Sequence, residues 1–149
     1  MTNYFEDLIK YNDWANKKVL SCISNNNLED HQTILQLMSH ILSSQFVWHL
    51  RIKRLPTSVF PLWEIYKFNE LTTMNEDSTK NWLSLIHLEK NFEREINYHS
   101  TKGEHFTNNL KHIMMHVFNH GTYHRAQIAT LIKTEGHLAP QTDFILFAR

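Results

Sequence analysis

Only three Gly and three Pro interrupt a chain of 149 residues, and this scarcity constrains the fold more than any other feature. Architectures built from many short strands need frequent tight turns, and those turns draw on Gly and Pro for backbone angles that other residues resist. A chain with so few breakers runs instead in long helices. The apolar pattern agrees. Tyr4, Leu8, Tyr11, Ala15, Val19 and Cys22 recur at three- and four-residue intervals up to the polar residues 24–27, marking a first helix. A second begins between Leu28 and His31, carries Ile34, Leu37, Met38, Ile41, Trp48 and Ile52 inward, and stops before Pro56. Residues 56–69, with Pro56, Pro61, Trp63 and Tyr66, are too aromatic for a solvated linker and are expected to pack over one end of the helices. Asn75, Asp77 or Ser78 offers a cap for a third helix holding Trp82, Leu85, Ile86, Phe92 and Ile96. Residues 98–108, which include Gly103, read as a loop or short extended excursion. A fourth helix takes residues 110–135, with Gly136 placed for a left-handed C-cap. Four amphipathic helices predict an all-α four-helix bundle, one domain over residues 1–149.

Charge narrows the function. Lys and Arg number 15 and so do Asp and Glu, so the chain lacks the basic footprint of a nucleic-acid binder or a polybasic membrane patch. No run approaches the roughly 20 apolar residues of a spanning helix. The start MTNYFEDLIKYNDW breaks its apolar residues with acidic ones, unlike a secretory segment, so a cytoplasmic protein is expected. The single Cys22 excludes an internal disulfide and is expected to be a small buried apolar residue rather than a nucleophile.

Chemistry gathers in KHIMMHVFNHGTYHRAQIATLIK, where His112, His116, His120 and His124 follow one another every four residues. Imidazole is the commonest protein ligand for transition metals, so the run points to a metal site. Each residue advances about 100° around a helix, so four-residue steps drift by about 40° and the four rings cannot share one ion. Measured against Ile113, Met114, Val117, Gly121, Ile128 and Ile132, His124 lies nearest the buried stripe and His120 on its edge. His116 falls on the shoulder and His112 near the solvent face. The best pair is His120 with His124, which chelates from one turn to the next. Two ligands do not complete a site, and a third must come from another helix. His40 and His49 on the second helix are the leading candidates, and phase favours His49. His87, His99 and His105 sit in no ligand motif.

LMSHILSSQFVWHLRI, then HVFNHGTYHRAQIA far downstream and PQTDFILFAR at the end, resemble the DinB family of metal-binding four-helix bundles over nearly the whole chain. HVFNHGTYHRAQIA stands close to the family's H-x-x-N-H-x-x-Y-H-R-G-Q-I, and the second-helix signature is an L-x-H-I with Trp eight residues after the His. The resemblance implies His40 as the third ligand, because Trp48 then aligns and His49 takes a usually apolar position. His40, His120 and His124 are therefore the expected ligands, with no catalytic residue assigned. His116, Asn119, Tyr123, Arg125 and Gln45 are expected around the ion or its pocket. Ala126 replaces a common Gly, and Gln45 stands where relatives often have Glu. Neither change removes a ligand. The resemblance further implies a divalent metal, zinc or nickel first and iron or manganese behind, and a homodimer. It also implies a Lewis-acid enzyme acting with a low-molecular-weight thiol as an S-transferase. A metal-dependent hydrolase and a non-catalytic metal-binding stress-response protein are the alternatives.

Overall fold

The computed structural model describes all residues from 1 to 149. Its order is α1 (Thr2–Asn25), α2 (Gln32–Ile52), α3 (Phe68–Leu88), β1 (Glu95–His99), β2 (His105–Asn109), α4 (Leu110–Thr134) and the single turn α5 (Phe144–Phe147). The four long helices form the bundle, α1 and α2 each packing against both α3 and α4. No helix is long and apolar enough to cross a membrane.

Helix ends follow local chemistry. His31 caps α2 by accepting the Ile34 N–H on Nδ1, and Gly136 at φ 86° closes α4. There the Gly136 and His137 amides donate to the Lys133 and Ile132 carbonyls, the paired bonds of a Schellman motif. The start of α3 corrects the sequence reading, since the helix begins at Phe68, seven residues ahead of Asn75. Glu70 Oε2 reaches back to accept the Lys67 N–H at 2.8 Å and so opens the helix earlier. Asn75 and Ser78, read as caps, are buried interior side chains. Asn75 joins Asn16 to Asp13, and Ser78 donates to Gln45 Oε1 at 2.6 Å. Phe92 and Ile96 also leave α3, which ends at Leu88, yet both stay in the core. Phe92 stacks on Phe5 at 5.2 Å from the following turn, and Ile96 points inward from β1.

The excursion before α4 is an antiparallel hairpin in which Ile96 faces Asn108 and Tyr98 faces Phe106. Its turn uses Gly103 at φ 82°, where a side chain would be strained. The connection between α2 and α3 does not cover an end of the bundle. It runs back along α2, with Phe60 stacked on Phe46 at 4.5 Å, Trp63 on His40 at 3.8 Å, and the Tyr66 N–H donating to Ser39 Oγ. Its aromatic residues find apolar and ring surface along the side of α2, which an end of the bundle does not offer.

Two apolar clusters fill the interior, one around Phe5, Trp82, Val117 and Phe118, the other around Val19, Met38, Leu71 and Ile128. Between them in the sequence of α4 lies Arg125, 2% exposed. Its Nη1 donates to Asn12 Oδ1 at 2.8 Å and Asn16 Oδ1 at 2.9 Å, its Nη2 to Thr122 Oγ1, and its guanidinium lies over the Tyr11 ring. Asn16 then donates to Asn75 and Asn75 to Asp13, so amides alone connect a buried cation to a carboxylate. Gly121 permits this approach, since a Cβ there would sit 3.0 Å from both Arg125 Nη1 and Asn12 Oδ1.

His49 is buried against Trp82 of α3, and its Nε2 has no hydrogen-bond partner. Burial, with help from Lys53 and against the Asn81 backbone, pushes its pKa from 6.5 down to about 4. The unfolded chain therefore takes up this proton first, and the folded state loses stability as pH falls from 6.5 toward 4, by about 3 kcal/mol in full. In metal-free protein, His49→Leu should make this drop smaller, leaving the share that His120 and His40, also lowered by burial, contribute. Urea unfolding at about pH 7 and about pH 4.5 checks it, a wild-type drop matched by the variant counting against the assignment.

Candidate metal centre

Helices α2 and α4 pack side by side and bring His40 together with His120 and His124. His40 and His124 are buried and His120 is half-buried, with one ligand atom from each lying within 4.8 Å of the others. His120 Nε2 stands 3.2 Å from His40 Nε2 and 3.1 Å from His124 Nε2. An ion at about 2.0–2.1 Å from two imidazole nitrogens sets them roughly 3 to 3.4 Å apart, so this spacing suits a shared metal.

The far side of each ring explains its aim. His40 Nδ1 lies 2.7 Å from the Leu62 carbonyl, which only accepts, so the proton sits on Nδ1 and Nε2 presents a lone pair to the cluster. Stacking on Trp63, with planes 4° apart, holds the ring in that plane. His124 Nδ1 lies 2.7 Å from Gln127 Oε1 one turn on, and the same logic turns the His124 Nε2 lone pair inward. Both lone pairs meet at His120 Nε2, which holds at most one proton and points it one way. One acceptor is left facing another, a repulsive arrangement that a cation relieves. The residues present therefore fit a metal.

Electrostatics favours the ligating form of His120 and His40. Burial is the main cause that pushes His120 down to about 3, with His124, His40 and His116 adding to it. His40 is lowered by burial and by His124 against the opposing Leu62 bond. Neutral imidazole is the form that binds metal.

The other expected residues divide. His116 does not join the cluster; it packs edge-on against Trp48 at 5.3 Å and lies 5.6 Å from His120, lining the adjoining cavity. Tyr123 is exposed but sets its ring edge-on to His124 at 5.1 Å. Asn119 and His112 face solvent. Arg125 and Gln45 point away from the centre, Arg125 into α1 and Gln45 to Ser78 of α3. Asn119, Arg125 and Gln45 are corrections to a pocket placement: Asn119 is exposed, one helical step turns Arg125 about 100° from His124, and five steps turn Gln45 about 140° from His40. His49 turns to Trp82 and takes no part in the cluster. Burial alone does not separate His49 from His40, each being 6% exposed.

Some partners escaped the sequence. Gln127 is legible as the residue one turn after His124, but a carbonyl at Leu62 carries no side-chain signal. Both His40 and His120 border a cavity of about 370 Å³, into which Trp48, Arg51, Tyr98 and His116 also face.

The family's profile matches residues 1–149. The chain belongs to the DinB family. A curated relative, Protein DinB of Bacillus subtilis (strain 168), is 19% identical over 163 aligned positions that cover 99% of this chain and 95% of the relative. No solved structure gives a significant match. Membership in the DinB family and three converging imidazoles together make a divalent metal site the natural reading of this centre.

Elemental analysis of purified variants checks the ligand set. His40→Ala should lose most of the roughly one bound ion per chain, while His49→Ala, whose ring faces α3, should retain it. Retention by the first and loss by the second would reverse the assignment.

Proposed function

We propose that this DinB-family protein is a metal-dependent enzyme in which His40, His120 and His124 hold a divalent ion that activates a low-molecular-weight thiol for transfer to an electrophile. The observation that carries the reading is the junction of the three-nitrogen cluster with a cavity large enough for a small molecule. A purely structural ion is usually closed off by four protein ligands. Here three imidazoles converge, no carboxylate or thiolate joins them, and two of the three border open space.

A divalent ion bound by neutral imidazoles keeps its full charge and supplies Lewis acidity, lowering the pKa of a thiol or water at its open position. The chain's own residues do the rest. Leu62 and Gln127, accepting from Nδ1, hold the two buried rings in the tautomer whose Nε2 lone pair points inward, and Trp63 holds the plane of His40. Trp48 and Tyr98, 4.9 Å apart and edge-to-face, wall the cavity with apolar surface that excludes water from a bound nucleophile. Zinc and nickel suit the donor set first, with iron and manganese behind them. We take the protein to act in the cytoplasm, where such thiols stay reduced, and as a homodimer, which sedimentation equilibrium tests directly.

Metal-loaded protein incubated with glutathione, coenzyme A or bacillithiol and an aryl halide should form the thioether, and His124→Ala should fall to the uncatalysed rate. Turnover that needs no thiol and rises with pH would replace this reading with hydrolysis by an activated water. No turnover above His124→Ala under any condition would overturn the enzyme reading.

A further inference from the structure

Arg51, in the last turn of α2, borders the metal-site cavity and also the two cavities beside it, of about 510 and 440 Å³. Its guanidinium lies 4.5 Å from the Trp48 ring centroid and 5.4 Å from that of Tyr98. It forms no ion pair, and none of its N–H groups has a protein acceptor; the seven salt bridges of the structure all lie elsewhere. No Asp or Glu lines any of the three cavities, while Arg54 lines one of them and His99 two. In a chain whose 15 basic residues balance 15 acidic ones, this is a local excess of positive charge around concave space. A cation near a helix C-terminus favours the helix dipole, which accounts for a basic residue in this turn. It does not account for a half-buried guanidinium flanked by two rings. Stacking on aromatic faces uses the π-surface of a guanidinium and leaves its edge of N–H groups for a planar or tetrahedral oxyanion.

We propose that Arg51 is the anion-binding residue of this cavity, and that the ligand of the three-histidine centre carries a carboxylate or phosphate at the end remote from its metal-binding atom. His40 and Arg51 are eleven residues apart on α2, a rise of about 16 Å between backbones. Long side chains facing one cavity shorten that span to the length of a small extended molecule. His116 and Trp48 lie between the two ends, His116 5.6 Å from His120 and Trp48 under Arg51. The inference rests on the metal-and-thiol reading for the donor end alone; the anion end stands on Arg51 by itself.

The test uses 6-mercaptohexanoate, 6-mercaptohexyl phosphate and 6-mercaptohexanol with cobalt-loaded protein, reading the sulfur-to-cobalt charge-transfer band. Hexanoate with metal-free protein is followed by ligand-observed NMR. The better of the two anionic thiols should bind at least about tenfold tighter than the alcohol, the worth of a charge-assisted hydrogen bond. Which of the two leads identifies the oxyanion. In Arg51→Gln the gap should close, and in Arg51→Lys, which keeps the charge and stem but not the fork, it should narrow. The Lys variant decides the matter if the Gln variant does not fold, as judged by circular dichroism. An equal gap in folded variants, or no gap in the wild type, overturns the proposal. If no thiol gives the band but hexanoate still binds and needs Arg51, the thiol reading falls and the anion site stands. Absence of both the band and hexanoate binding overturns both.

Discussion

The bundle turns on a buried guanidinium with no carboxylate beside it. Removing Arg125 from water costs several kcal/mol unless it is compensated, and four neighbours do most of this: Asn12, Asn16 and Thr122 accept from Nη1 and Nη2 and the Tyr11 ring lies under the guanidinium, while the buried Nε has no partner. Three of them lie on α1, so α4 has one favourable rotation against that helix. Asn16 and Asn75 carry the polarisation onward to Asp13, engaging α3 in the same arrangement. Gly121 leaves room for it where any larger residue would press on both ends of the bond. With residue 125 committed to α1, residue 124 is turned toward α2, and that is where His40 stands. The polar network that stabilises the fold thus also aims the three-histidine cluster, although none of its side chains belongs to it.

Orientation of the rings is a second requirement, met by the connection between α2 and α3. Laid back along α2, it brings the Leu62 carbonyl to His40 Nδ1 and Trp63 to its face. A histidine free to rotate or to change tautomer would not present a lone pair to the cluster; this one is held on two sides. The same segment lines the cavity through Leu62, so ring orientation and access to the site depend on one stretch of chain. At the other end the hairpin supplies Tyr98, which meets Trp48 and Arg51. Elements outside the four helices therefore shape the cavity, while the helices supply the converging imidazole nitrogens.

Much of this was legible from residue spacing. Few breakers and three-to-four periodicity are local properties, and they led to long helices, to the Gly136 cap and to the inward pair His120 and His124. The third ligand shows the limit. His40 and His49 are equally buried on α2, and helical phase reports burial without saying which neighbour a buried side chain faces. His49 faces Trp82 of α3 and His40 faces α4, a distinction that exists only once the helices are packed. Family resemblance pointed to His40 because a motif carries the memory of that packing. Asn75 and Ser78 misled for a related reason, since residues favoured as caps are equally good at joining helices when buried.

By itself the sequence determined the class of fold, the existence of a histidine-rich helix and the overall balance of charge, because composition and periodicity are properties of the chain read within a few turns. Tertiary structure decided which histidines meet and which way Arg125 and Gln45 turn. It also decided that Arg51 lines a cavity without an acidic partner. Those outcomes depend on distances between residues as far apart as 40 and 120, and no local pattern encodes them.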